Sequence, residues 1–540
     1  MSGFRDANLL IISLSTHSHS IQAGLGLSPE AILPPTHSST TEIYLPESLQ
    51  PSDPTRRWSD YSLEPKPGYV ARSLFTDSGD GTGQSVVDWK ALDAFFRHLL
   101  FTTLKLSNPP LAQHILLSIP PSISNVTRDK LTQLFFENLQ APALFLVDSG
   151  LLHILASNHS SGISVDLGTH STLLSFIHDS VLLRHCSLSF PLGEVDCDNY
   201  LIALLLTHDT TLPDRLCPSA ENQSPKALYQ ALRSLVTSLK ADGHIRFQPE
   251  LSDLASALPD TSVEEDENAI TDVAQAIVSG KVDKLLGRQT SVGGASASGS
   301  LHSRRGTATS TKKLEAELLK ESDTIIVSVP TSDTASSPTR LPTDFGTIQI
   351  PNEFTAAELR IGKFRHRHAE PLFSPSVLSL IPSTFAQHGL EAYASRYTPE
   401  VIEDAGDGII AAAQTALRKI DGGQNQRREV SEHLVLTGQG GITCRTEGLA
   451  EVLSKALGSK PAKVPEYFSE FKSRPELLGF LGGAIVAKLV FNDASASKLW
   501  MSKPDYSREG PYVSRKIGEA TGQHGLQSTY PSTTAAGGPN

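Results

Sequence analysis

The stretch Gly162-Ile163-Ser164-Val165-Asp166-Leu167-Gly168-Thr169-His170-Ser171-Thr172 decides how this chain is read. Apolar and polar residues alternate up to Asp166, Gly168 allows a tight turn, and residues 173–177 (Leu-Leu-Ser-Phe-Ile) begin a second apolar run. The pattern predicts a hairpin whose tip carries one carboxylate and a row of hydroxyls. Such a tip can lie under the phosphates of a nucleotide. Its backbone N–H groups cradle phosphate oxygens, and the carboxylate holds Mg2+ through water. The same D-x-G-T pattern also makes an ordinary turn, so the flanking segments must decide.

Upstream, residues 9–14 read as a buried strand, 15–20 as a polar hairpin tip and 21–27 as the returning strand, with Gly24 and Gly26. Residues 34–83 are rich in Pro, Ser and Asp and read as a small subdomain or long loop. Asp88 can cap a helix that carries Leu92, Phe95, Phe96 and Leu99 at helical spacing. A strand at 114–118, a helix at 127–137, a strand at 143–147 and a helix at 149–156 lead into the hairpin. That alternation predicts an α/β layered lobe.

Downstream, residues 195–206 read as a helix. The composition shifts over 207–345, with an acidic run at 264–267 and a Gly/Ser/Ala tract at 291–310. That tract cannot bury enough apolar surface to order itself. One short strand at 323–329 sits beside it. Order is expected to resume near 345 and to end near 516, before a Gly/Ser/Thr/Pro-rich tail expected to be disordered. Within it, 401–420 read as a helix, 433–437 as an apolar strand and 447–457 as a helix. Between the last two, Gly438-Gln439-Gly440-Gly441 could let backbone approach a ligand or simply make a tight turn.

The totals narrow the function classes. A chain of 540 residues holds two to four domains or one large two-lobed fold, and 39% hydrophobic residues suffice for real cores. Four cysteines without paired spacing read as reduced thiols of a cytosolic or nuclear protein, with no metal site. A net charge of −12 argues against broad phosphate binding by the whole surface. The apolar run at 9–14 is too short for a signal-peptide core. No run of about 20 apolar residues is present, and the longest candidate, 477–491, is interrupted by Lys488, so no membrane span is expected.

Several blocks then resemble one family. Residues 141–168 resemble, without a gap, the actin segment that leads into its second phosphate loop. Leu192-Gly193-Glu194 through Tyr200-Leu201 resembles the next actin helix, and Leu434-Val435-Leu436-Thr437-Gly438 the strand and glycine loop at the adenosine. Leu481-Gly482-Gly483-Ala484-Ile485 resembles the last large helix, and Trp500-Met501-Ser502-Lys503-Pro504-Asp505-Tyr506 the C-terminal segment. The resemblance covers about two-thirds of the chain in the right order. It implies an α/β, actin-like two-lobed fold, of the type shared with heat-shock ATPases and hexokinase, with a five-stranded mixed sheet in each lobe. The expected divisions are 1–190 for the first lobe, with 34–83 as its small part, and 191–430 for the second, including a disordered insert at about 264–322. Residues 431–516 would carry the glycine loop and the return to the first lobe, and 517–540 the tail.

The departures from the family bear on activity. The first phosphate hairpin of actins carries an Asp, glycines and, farther on, a Lys. Here it reads Ser13-Leu14-Ser15-Thr16-His17-Ser18-His19-Ser20, with Gln22 in place of the Lys. That removes a charge that would neutralise phosphate. Asp166, Gly168, Gly438 and Gly440 remain as a vestigial nucleotide site. Ser149 and Leu173 stand where the resemblance implies a water-positioning Gln and a catalytic His, and neither can orient an attacking water. No catalysis and no resident cofactor are expected, leaving at most backbone contacts to a base and ribose.

Among actin-related proteins, the segments 4–12, 22–25 and 323–327 resemble the branch found in fungal SWI/SNF and RSC chromatin remodellers. The resemblance implies a nuclear, non-catalytic subunit. It would pair with a second actin-related protein on a helical segment of the remodeller ATPase and meet chromatin only through the complex. The alternatives are a slow ATPase with a rearranged site, or an actin-fold protein of a cytoplasmic assembly. The positions matching the family's helix-binding groove are Leu155, Leu481, Ile485, Val486, Leu489 and Phe491. Leu481, Ile485 and Leu489 share one helical face, which a buried core would also explain.

Three further features read blandly. Arg365-His366-Arg367-His368 is expected to be a solvated basic run. His17 and His19 lack a third metal ligand in sequence. Arg304-Arg305 and Lys312-Lys313 form either a divided nuclear-import signal or two ordinary basic pairs.

Overall fold

A computed structural model describes residues 9–25, 32–50, 53, 55–77, 84–107, 109–217, 224–248, 324–330, 339–343, 346–350, 356–439, 441–492 and 498–515. The expected insert at 264–322, its basic pairs, the tail at 517–540 and Gly440 lie outside the described residues.

Two six-stranded sheets form the frame. The first contains β1 (Leu9–Ser15), β2 (Ser20–Leu25), β3 (His37–Thr40), β4 (His114–Ile119) and β5 (Ala143–Asp148). The second contains β6 (Gly162–Leu167), β7 (Thr172–His178), β8 (Val181–Leu182), β9 (Leu188–Phe190), β10 (His433–Thr437) and β11 (Lys460–Pro461). A short β12 (Met501–Ser502) returns to the first sheet. The first sheet runs β12-β5-β4-β1-β2-β3, and the second runs β8-β7-β6-β10-β11 with β9 on β7. In each sheet a hairpin strand pairs in parallel with a distant strand. β1 lies beside β4 with Ile11 opposite Leu116, and β6 lies beside β10 with Val165 opposite Leu436. Strands buried on both faces explain the near-continuous apolar runs in β1 and β4.

Each sheet thus has one strand more than expected. The chain also leaves the first sheet earlier than expected. It passes through helix α1 (Ser149–Ala156) and enters the second sheet at Gly162, so residues 162–190 lie in the second sheet and not in a first lobe ending at 190. The reason is the parallel pairing of β6 with β10, some 270 residues later, which local pattern does not reveal.

Helix α4 (Leu478–Asn492) packs against α1 and β1. A Cβ on Gly482 would lie 2.0 Å from the Leu152 carbonyl oxygen, so glycine is what lets α1 and α4 approach. The helical run Pro475–Asn492 is apolar and long enough to cross a membrane, but 72% of it is buried inside the fold. Phe145, Leu152 and Leu481 are fully buried at this junction, each worth about 1.5–3 kcal/mol. On the second sheet, helices α2 (Glu194–His208) and α3 (Pro225–Ala241) cover one face around Tyr200, Leu201 and Leu232.

Other expectations shift in detail. The strand near 323 is Ile325–Pro330, paired antiparallel with Ala356–Ile361. The helix expected at 401–420 is two helices, Pro399–Ala405 and Ile409–Arg418. Gly406 and Gly408 break it at φ 53 and φ 88, and a Cβ on Gly408 would meet the Phe373 carbonyl oxygen at 2.4 Å.

The basic run at 365–368 is not solvated. Arg365, His366 and His368 are buried. Arg365 donates to the carbonyls of His244 and Gly362 at 2.9 Å each, His366 Nδ1 accepts from the Arg246 N–H at 3.0 Å, and His368 Nε2 lies 2.8 Å from Asp198 Oδ1. Buried polar groups are held inside by partners of this kind.

Candidate functional site

Two hairpin tips meet where the sheets face each other. β1 and β2 join through Thr16, His17, Ser18 and His19, and β6 and β7 through Gly168, Thr169, His170 and Ser171. Their strand ends leave backbone groups that need partners once water is excluded. The tips satisfy one another. The Thr169 N–H donates to the His17 carbonyl at 3.1 Å, and the Thr169 hydroxyl donates to the Ser18 carbonyl at 3.1 Å. The Gly168 N–H donates to the Ser171 carbonyl at 3.0 Å.

The His17 side chain lies between the tips. Its Nε2 is 3.3 Å from Asp166 Oδ2, and its Nδ1 is 3.2 Å from Ser15 Oγ. A Cβ on Gly168 would come within 2.2 Å of His17 Cδ2, so the ring rests directly on the glycine turn. Burial alone would push the Asp166 carboxyl up. The facing His17, with His153 behind it, outweighs burial and holds Asp166 below the ordinary aspartate range. Burial pushes the His153 imidazole down, against the pull of Asp166. His153 Nδ1 lies 2.8 Å from Ser164 Oγ.

A third tie comes from the glycine loop after β10. The Ser13 hydroxyl donates to Gln439 Oε1 at 2.8 Å, and Gln439 Nε2 donates back to the Ser13 carbonyl at 2.8 Å. Gln22 donates from Nε2 to the Glu476 carbonyl at 3.0 Å, just before α4.

The far side of the loop is filled by charge. Glu194 and Asp198 are four residues apart on α2 and so share a face. Lys240 Nζ, from α3, lies 2.6 Å from Glu194 Oε1 and 2.8 Å from Asp198 Oδ1. Glu194 Oε1 also accepts the Ile442 and Thr443 N–H groups at 3.1 and 3.2 Å. A Cβ on Gly441 would lie 1.5 Å from Glu194 Oε2. Burial opposes the charge on each of these groups, yet the two carboxylates hold Lys240 above the ordinary lysine range. Lys240 and then His368 hold Asp198 well below the carboxylate range.

A magnesium nucleotide does not fit these residues. The space between the two hairpin tips holds the His17 ring, the Thr169 amide is spent on a protein carbonyl, Asp166 faces an imidazole, and the Ile442 and Thr443 amides bind Glu194. Ser149 is buried at the start of α1, and Leu173 pairs in register with Asp166.

A second opening lies between α1 and α4. Leu155 at the end of α1, Ile485 and Leu489 on α4, and the loop residues Tyr467 and Phe468 line a groove of about 520 Å³ with Lys488 and Glu470 at its rim. Tyr467 is 72% exposed.

Residues 79–241 match the family model described as Actin. That segment is an actin-family domain. The chain's two sheets about a cleft, with α4 returning to the first, are the actin fold. The chain is 23% identical over 444 residues to SWI/SNF and RSC complexes subunit arp9 of Schizosaccharomyces pombe, covering 79% of this chain and 76% of that protein. It is 24% identical over 438 residues to Actin-related protein 4 of Arabidopsis thaliana, covering 80% and 77%. It is 30% identical over 146 residues to Actin-like protein 9 of Homo sapiens, covering 27% and 35%.

The structure sorts the residues expected to matter. Asp166, Gly168 and Gly438 come together at the closed cleft. Of the six groove positions, Leu155, Ile485 and Leu489 line the groove, whereas Leu481, Val486 and Phe491 are core. Those three point between α4 and its neighbours because apolar residues all round a helix leave only part of its surface free. His17 meets the Asp166 carboxylate. The one cluster of metal-ligating groups among the described residues is His178, Asp179 and Glu429, on the surface. Sequence reasoning missed Gln439, Glu194, Asp198, Lys240 and His153. A glutamine interrupting a glycine run was the only signal for any of them.

Proposed function

We propose that this chain is a non-catalytic subunit of a SWI/SNF- or RSC-type chromatin-remodelling complex in the nucleus. It pairs with a second actin-related protein on a helical segment of the remodeller ATPase, and through that helix it regulates nucleosome remodelling and transcription. The observation that carries the reading is the filled cleft, where His17, Gln439 and Glu194 stand in the space and on the donors a nucleotide would use. A protein of this fold that has given its nucleotide site to its own side chains acts through surfaces. The likeness to the fission-yeast complex subunit supports the assignment. The groove suits an amphipathic helix, because its walls are aliphatic and aromatic while its rim carries Lys488 and Glu470.

The test is co-purification of the recombinant chain with the helical segment of the remodeller ATPase, with and without a second actin-related subunit. Nucleotide content is measured in the same sample. A stoichiometric, nucleotide-free complex is expected. Failure to bind the helix together with recovery of ATP or ADP overturns the reading in favour of a nucleotide-dependent protein.

A further inference from the structure

We infer that His17 is a built-in ligand, an imidazole that takes the space between the two hairpin tips and latches the two lobes together. The inference rests on the filled cleft described above and adds a mechanical role and a ligand chemistry to it.

The ring has the contacts of a bound small molecule. Its floor is Gly168, where only a hydrogen leaves room for it. On one side Nε2 faces the Asp166 carboxylate at 3.3 Å, and on the other Nδ1 faces the Ser15 hydroxyl at 3.2 Å. Both His17 and Asp166 are nearly inaccessible, with 2% and 4% exposure. His17 rises from the β1–β2 turn of the first sheet, whereas Asp166 and Gly168 belong to the second. The contact therefore spans the lobes, and the Thr169 bonds to the His17 and Ser18 carbonyls run beside it.

Removing the ring leaves a chamber of defined chemistry. Its acceptor is a buried carboxylate that has lost its facing imidazole donor, a costly state. Its lining also includes the Ser15 hydroxyl and a glycine turn. His153, which also acts on Asp166, is already engaged with Ser164. Such a chamber selects a small planar cation or donor of the imidazole class. It repels phosphate, because the carboxylate faces inward and the Thr169 amide is already spent. The lobes are thus held by a permanent group, and their relation does not answer to ATP.

The experiment uses the full-length His17→Gly chain. Its thermal unfolding midpoint is compared with the parent chain's in millimolar imidazole, in inorganic phosphate and in Mg-ATP. The variant is expected to melt several degrees lower and to regain most of the loss in imidazole, while the parent chain does not respond. Adding Asp166→Asn to the variant is expected to abolish the rescue. A folded variant indifferent to imidazole, or one stabilised as much by phosphate or Mg-ATP, overturns the inference. Should His17→Gly not accumulate folded, the single variant Asp166→Asn, which keeps the bulk and removes the charge, must melt below the parent chain. Equal midpoints overturn the latch. Because helix capture reads the groove and imidazole rescue reads the cleft, failure of the latch leaves the proposed function standing, and the converse also holds.

Discussion

The filled cleft and the open groove both lie where two parts of the same frame meet, yet one is stuffed with polar side chains and the other is empty. The cleft is walled by strand ends and turns. Their N–H and C=O groups demand partners, so a cleft that has given up its nucleotide must close on itself. The groove is walled by the sides of α1 and α4, whose backbone groups are bonded within their own helices. Walls of that kind make no demand on the groove for polar partners. On the proposed reading, the cleft is a stability element and the groove a partner surface.

The sharpest way to break this contrast is to remove the charge that fills the far side of the cleft. Lys240→Met leaves Glu194 and Asp198 buried without their cation and is expected to cost about 3–5 kcal/mol in urea unfolding. A loss below about 1 kcal/mol would mean that the cluster is not the cleft's filling.

Next in size is a pH effect. Burial pushes the Asp196 carboxyl up to about 6, against the pull of Arg396 and the Gly193 N–H. A raised carboxyl contributes stability below its ordinary range near 4 and loses it as pH rises through 6, an effect on the order of 2–3 kcal/mol. Asp196→Asn is expected to flatten that part of the stability profile between pH 4 and 7. Unchanged curvature would place the titration elsewhere.

Gln439→Ala removes both bonds to Ser13 and strands the Ser13 groups, at an expected cost of about 1–3 kcal/mol. In a double-mutant cycle with Ser13→Ala the losses should fall well short of additive. Full additivity would show that the two residues do not act as one tie.

The smallest effect on stability, and the most specific, belongs to the groove. Ile485 and Leu489 are half-buried, and Leu489→Arg is expected to change stability by less than about 1 kcal/mol. It should weaken capture of the ATPase helix at least tenfold, about 1.4 kcal/mol. Equal capture by the variant would move the partner surface off the groove.

The frame was legible because its signals are local. Alternation through Ile163, Val165 and Leu167 announced the β6–β7 hairpin, and the apolar residues Leu151, Leu152, Ile154 and Leu155 announced α1. The filling of the cleft was not legible, because each tie joins distant residues without a period. His17 reaches Asp166, Ser13 reaches Gln439, and Lys240 reaches Glu194. On an amphipathic helix Lys240 has the look of a solvent-facing residue. Arg365 and His368 misled for the same reason: a basic run is solvated unless carbonyls and a carboxylate such as Asp198 wait inside. Half of the groove was misassigned because helical spacing tells which residues share a face and not which of them that face leaves open.

The place of α4 has a consequence for biosynthesis. It is the helix that seals β1 and β4, and β12 is the strand that finishes their sheet, yet both are made some 360 residues or more after β4. At about 5–20 residues per second, the ribosome releases them roughly half a minute to a minute and a half after β1 has emerged. Until then the nascent first lobe presents the apolar face of β1 uncovered. When α4 leaves the tunnel it is itself a free apolar segment with the length and composition of a membrane anchor. The first sheet is therefore covered and completed only after α4 and β12 have been made.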